Sequence, residues 1–179
     1  MITGPAGVGK STIVREVVRR TGAMLSVSVT TRAPRAGEVN GRDYHFIDRP
    51  AFDKLVSAGE LLEWAQVFAQ CYGTPAQPVH QALQAGRTVI LEIDVQGGLQ
   101  VAKLMPQAKY VLILPPDYKE LRRRLAGRGT ETPEALENRF AKAPQEIETA
   151  ADSGVYKCQV VNDELERTIA QVCEVVTKE

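Results

Sequence analysis

Cysteine is scarce in this sequence. Cys71, Cys158 and Cys173 are odd in number, widely spaced and contain no CxxC pair. That pattern excludes a disulfide framework and fits free thiols in a reducing compartment. The histidines are two, His45 and His80, too far apart for metal-ligand spacing, so no zinc site is expected. Charge of one sign is missing as well: Lys+Arg and Asp+Glu are 22 each, for a net charge of zero. A chain that tracks nucleic acid needs a cationic surplus, so no nucleic-acid partner is expected. No apolar run approaches the ~20 residues of a membrane helix. The N-terminus has neither the charged nor the apolar region of a signal peptide. The expectation is a cytoplasmic protein with no membrane partner. Its 179 residues, 44% hydrophobic and 25% charged, have globular composition and fit one domain, or one domain with a mobile subdomain, on a prior of about 100–200 residues each.

Short apolar runs alternate with helical periodicity, which favours an α/β fold with a mostly parallel sheet. An apolar stub, Met1-Ile2-Thr3, leads into a glycine-rich segment and a helix with Ile13, Val14, Val17 and Val18 on one face and Gly22 as its stop. Strands are expected over Met24–Val29, Tyr44–Ile47, Leu61–Val67, Val89–Asp94, Tyr110–Leu114 and Lys157–Val161. Asp48, Asp117 and Asn162-Asp163 read as helix caps, and Thr74-Pro75 opens another helix. The expected core comprises residues 1–29, 86–125 and 155–179, with two insertions, about 30–85 and about 126–153. Ligands in open α/β sheets sit over the carboxyl ends of the strands, where such insertions lie.

Gly4-x-x-x-x-Gly9-Lys10-Ser11 matches GxxxxGK[ST] in full, with a strand before it and a helix after. Glycines let backbone N–H groups turn toward phosphate oxygens, and the helix N-terminus adds positive potential. Lys10 contributes a full charge and Ser11 a hydroxyl suited to Mg²⁺. The expected triphosphate site comprises Gly4, Ala6, Gly7, Val8, Gly9, Lys10, Ser11 and Thr12. The motif alone indicates a P-loop NTPase or kinase.

A second polar cluster lies at Ser28-Val29-Thr30-Thr31-Arg32-Ala33-Pro34-Arg35-Ala36-Gly37-Glu38. Guanidinium forks bind phosphate bidentately and never lose their charge. The alternative is that Arg32 and Arg35 are surface residues paired with Glu38 and Asp43, contacts of about 0–1 kcal/mol. This segment, continued through Gly41, Asp43, Tyr44 and Phe46, resembles the guanylate kinase family. So do Gly59-Glu60-Leu61-Leu62-Glu63-Trp64-Ala65, Tyr72-Gly73-Thr74, Ile93-Asp94-Val95-Gln96-Gly97, Arg128-Gly129-Thr130-Glu131-Thr132 and Asn162-Asp163, in order along nearly the whole chain.

The resemblance implies a P-loop kinase fold with a parallel-sheet core, a GMP-binding insertion over about 30–85 and a helical lid over about 126–153. It implies that Ser28, Arg32, Arg35, Tyr44 and Tyr72 hold the GMP phosphate, with Glu38 in the same group, and that Glu63, Thr74 and Asp94 read or position guanine. A carboxylate accepts from guanine N1–H and N2–H₂, and a Thr hydroxyl donates to O6; adenine offers neither donor. Glu92 faces the same side as Asp94 and either contacts the ligand or pairs with an arginine. Arg128 and Arg139 match the family's lid arginines and, with Lys10 and Arg35, would form the catalytic set, while Asn162 and Asp163 would lie near the adenine of ATP. Of Arg122, Arg123 and Arg124, the first two read as a solvated face and the third stays open. Pro144 should kink the lid helix. The implied reaction is ATP-dependent phosphorylation of GMP and dGMP with Mg²⁺, bound by Ser11 with Asp94 through water. The alternatives are a catalytically inactive peptide-binding module of the same fold and a P-loop kinase for another phosphorylated substrate.

Overall fold

The structure, a computed structural model, describes residues 1–67, 69–127 and 133–178. Along the chain run β1 (Ile2–Thr3), α1 (Lys10–Thr21), β2 (Met24–Leu25), β3 (Val29–Thr30), β4 (His45–Phe46) and α2 (Arg49–Ser57). Then come β5 (Leu61–Val67), β6 (Gln70–Pro75), α3 (Ala76–Gln84), β7 (Val89–Ile90), α4 (Val95–Leu104) and β8 (Val111–Leu114). The chain closes with α5 (Tyr118–Ala126), α6 (Pro133–Asp152), β9 (Cys158–Val161) and α7 (Leu165–Thr177). This is an α/β architecture with parallel strand pairing in both of its parts. It divides into two compact units, one of Met1–Ala23 with Glu92–Glu179, the other of Met24–Leu91. No described helix is long and apolar enough to cross a membrane.

In the first unit β1, β8 and β9 form a parallel sheet, with Ile2 opposite Val111 and Leu112 opposite Gln159. Helix α1 buries Ile13, Val14 and Val17 and packs on α7. Arg19 and Arg20 in its last turn complement the helix dipole. Gly22 (φ 71°) ends it by donating its N–H to Val18 O at 3.0 Å. A second apolar cluster joins Val95, Tyr110, Leu112, Ala150 and Tyr156, with the two tyrosine rings edge to face at 6.1 Å.

In the second unit β2 pairs in parallel with β7, and a four-stranded sheet runs β4-β3-β6-β5. The antiparallel β5–β6 pair sets Glu63 opposite Thr74 and Ala65 opposite Tyr72. Gly73 permits this pairing: a Cβ there would lie 2.8 Å from Leu61 Cδ1 and 3.1 Å from Glu63 O. Asp48 caps α2 by accepting from Ala51 N at 2.8 Å. That helix delivers Phe52, 1% exposed, against Val29 and Cys71.

Several elements differ from the sequence-based expectation. The single strand expected over Met24–Val29 is two short ones, because β2 pairs with β7 whereas β3 pairs with β4 and β6. The strand expected over Val89–Asp94 shortens to β7, and Glu92 instead bridges Ile2 of β1. Strand β6 contains Gly73 and Pro75 and reads locally as loop; its pairing with β5 and β3 overrides that preference. Helix α4 begins with a glycine pair that disfavours helix, offset by Asp94, whose carboxylate accepts from Gly97 N at 2.8 Å. The cap of α7 is Glu164, accepting from the N–H groups of Glu166 and Arg167, and not the expected Asn162-Asp163. Pro144, expected in the lid helix, lies inside α6, where residue 144 offers the Phe140 carbonyl no amide proton.

Phe52→Ala is expected to destabilise the second unit by about 3–5 kcal/mol, read as a lower urea midpoint at unchanged slope. A surface-like change of about 0.5 kcal/mol would show that this cluster is not organised around the ring.

Candidate functional site

The glycine-rich turn between β1 and α1 has Gly4, Gly7 and Gly9 at φ 150°, 85° and 100°. These are backbone conformations that L side chains rarely adopt. Space excludes side chains too: a Cβ would lie 2.3 Å from Ile113 O at Gly4 and 2.6 Å from Leu125 Cγ at Gly7. No side chain caps the N-terminus of α1. Its first N–H groups therefore face the turn, an arrangement that favours an anion.

Lys10 Nζ donates to Gly4 O at 2.5 Å and Pro5 O at 3.2 Å, folded back along the turn. Ser11 Oγ donates to Glu92 Oε1 at 2.6 Å. Glu92 and Asp94, expected among the GMP-binding residues, are part of the first unit. Glu92 meets the hydroxyl of the turn, and one Asp94 oxygen caps α4.

Arg139 is half-buried on α6. On the same helix, Glu146 is a residue that sequence reasoning missed. Burial pushes its carboxyl pKa up, Lys10 opposes this, Asp94 reinforces it, and Lys142 and Arg139 oppose it. Arg139, Lys142 and Glu146 recur at helical spacing on one face, a periodic signal that was present in the sequence. Arg128 lies outside the described residues, as do the rest of 128–132.

Of the arginine run, Arg122 pairs with Glu137 and lies 5.4 Å from the Phe140 ring centroid, while Arg123 pairs with Glu120. Arg124 turns inward to Val8 O and Asn162 O. Asn162, 5% exposed, donates its amide to Val8 O at 2.8 Å. Asp163 forms an exposed ion pair with Arg167.

The second unit holds Ser28, Arg32, Arg35, Glu38, Tyr44, Glu63, Tyr72 and Thr74. Arg32 is braced on several sides. It donates to Glu38 Oε1 at 2.8 Å and Ala33 O at 2.7 Å, and its guanidinium lies 5.5 Å from the Tyr44 centroid and 5.7 Å from that of Phe46. Glu38 Oε2 accepts from Arg35 N at 2.7 Å. Burial works to raise the Glu38 carboxyl pKa, but hydrogen bonds from Arg32 and the Arg35 backbone outweigh it and hold it below the ordinary value. Tyr44 and Tyr72 meet edge to face at 6.0 Å. Across the β5–β6 pair, Thr74 Oγ1 donates to Glu63 Oε1 at 2.6 Å; the two residues are 0% and 5% exposed. A buried carboxylate beside a rotatable hydroxyl is suited to a ligand edge that presents adjacent donors and an acceptor.

The chain matches the family described as guanylate kinase over residues 1–179. It is 44% identical over 173 residues to the guanylate kinase of Parasynechococcus marenigrum (strain WH8102), covering 96% of this chain and 93% of that protein. It is 48% identical over 177 residues to that of Nocardia farcinica (strain IFM 10152), covering 97% and 88%. A crystal structure of guanylate kinase from Anaplasma phagocytophilum superposes with a TM-score of 0.78 at 31% identity, covering 98% of this chain and 81% of that one.

Hydrogen bonds from Arg123 and Arg124 pull the Glu120 carboxyl pKa from an ordinary 4.5 to about 2. The stabilisation from this pairing is present above pH 4.5 and is lost as pH falls through about 2. An NMR titration of the Glu120 carboxyl carbon should give a midpoint near about 2, moving upward in Arg123→Leu. An ordinary midpoint would contradict the pairing.

Proposed function

Because this chain belongs to the guanylate kinase family, we propose that its two clusters bind the two substrates of one reaction: the glycine-rich turn the triphosphate of ATP, the arginine cluster and β5–β6 pair GMP. The protein is a nucleoside monophosphate kinase that phosphorylates GMP to GDP as ATP becomes ADP. The same reading extends to dGMP, which carries the same base and phosphate as GMP.

In this reading the N–H groups of the turn and of α1, with Lys10, cradle the donor phosphates. Phosphoryl transfer asks little covalent chemistry of the protein; positioning and charge neutralisation carry it. Lys10, Arg35, Arg128 and Arg139 supply the positive charge, the last two from the proposed lid over about 126–153. The Ser11 hydroxyl, 2.6 Å from a Glu92 oxygen with Asp94 two residues on, is an all-oxygen donor set that fits Mg²⁺, a hard ion that keeps much of its water. Ser11 would hold it directly, Glu92 and Asp94 through water. Bound Mg²⁺ would neutralise charge on the β- and γ-phosphate oxygens.

The GMP phosphate goes to Ser28, Arg32, Arg35, Tyr44 and Tyr72, while Glu38 acts by aligning the arginines. The observation that carries the base assignment is the buried Glu63–Thr74 pair. Glu63 accepts from N1–H and N2–H₂ of guanine, and Thr74 turns its hydroxyl to O6. Adenine would set an acceptor, N1, against the carboxylate, a mismatch that supports discrimination of about 10⁴-fold. Three free thiols accord with cytoplasmic residence.

A coupled assay with GMP, dGMP, AMP, CMP and UMP tests this: turnover is expected with the two guanine nucleotides alone. No turnover with any, together with peptide binding, would favour a non-catalytic module. Glu63→Gln should lower the GMP-over-AMP preference by about 10²-fold or more; unchanged selectivity removes Glu63 as the reader. Lys10→Ala should lower kcat by about 10²-fold or more while calorimetry gives an unchanged GMP dissociation constant. Loss of GMP binding would contradict separate sites.

A further inference from the structure

The back of the glycine-rich turn is tied down more firmly than its own sequence requires. Val8, 0% exposed, has a carbonyl that accepts from Asn162 Nδ2 at 2.8 Å and from Arg124 Nη1 at 3.4 Å. Both donors are held in turn. Arg124 donates to Glu120 Oε1 at 2.7 Å and to Asn162 O at 3.0 Å, and the Asn162 backbone N–H donates to Leu114 O of β8 at 2.8 Å.

In a trans peptide the C=O and the following N–H point in opposite directions. Fixing the Val8 carbonyl from behind therefore aims the Gly9 N–H toward the opposite side of the turn. Gly9 fits the same arrangement: its φ is 100°, and a Cβ there would lie 2.7 Å from Asn162 Nδ2. We propose that Asn162 and Arg124 are positioning residues that hold the Val8–Gly9 peptide with its N–H presented to the donor's phosphates, and that Asn162 acts through the turn and not by reading the donor's base. This inference rests on the reading that the turn binds those phosphates.

Asn162→Leu keeps the number and branching of the side-chain heavy atoms and removes the donor. Dissociation constants for ATP, CTP, inorganic tripolyphosphate and GMP, measured by calorimetry on the full chain, decide the matter. The first three are expected to weaken by one common factor, about tenfold for a lost hydrogen bond, with GMP unmoved. Arg124→Lys, which keeps the charge and loses the fork, should show the same pattern, and the double variant should lose less than the sum of the two because both act on one carbonyl. If ATP weakens while CTP and tripolyphosphate do not, Asn162 reads the base and the proposal falls. It falls too if all four ligands bind as in the wild type, or if GMP weakens in step with the rest. Should Asn162→Leu fail to fold, Arg124→Lys decides on the same readouts. The underlying reading fails separately, if wild-type protein binds no tripolyphosphate or if Lys10→Ala binds it equally well.

Discussion

A backbone N–H can hold a phosphate only if it is kept from every other partner and still pointed outward. That constraint governs the first unit. Gly4, Gly7 and Gly9 take conformations that other residues resist. The positions a Cβ would occupy are already filled by Ile113, Leu125 and Asn162. The turn is thus shaped from outside by β8, α5 and the segment leading into α7, as much as by its own glycines. Tertiary packing fixes the backbone of the turn, so in the proposed reading little backbone reorganisation is left for binding.

The second unit solves a related problem with side chains. A guanidinium that is free to swing loses entropy when it binds. Arg32 is instead stacked near Tyr44 and Phe46 and anchored on Glu38. Glu38 also takes the Arg35 backbone N–H, so one carboxylate organises both arginines. The cost is a negative charge near the proposed phosphate site. Its compensation is a preset fork geometry, which Lys could not provide. The Glu63–Thr74 pair follows the same logic in the buried interior. Each satisfies the other, and neither is left as an unpaired polar group.

Local signals carried much of the fold. The caps Asp48 and Asp117, the stop at Gly22 and the β5 run all appear where pattern and propensity put them. The failures share a cause. Strand β6 with its glycine and proline, α4 with its paired glycines, and the split of Met24–Val29 into two strands depend on which partner each segment meets. The cap of α7 moved to Glu164 because Asn162 is engaged by Val8 and Asp163 by Arg167.

By itself, the sequence determined the chemical inventory: the spacing Gly4-x-x-x-x-Gly9-Lys10-Ser11, the Arg32/Arg35 cluster, and Glu63 with Thr74. These are short-range patterns, written in residue type and interval. Tertiary structure alone decided which groups meet: Ser11 with Glu92, 81 positions away, and Asn162 with Val8, 154 positions away. No local propensity encodes such pairs, because they form only when separate strands and helices pack and each buried donor must find an acceptor.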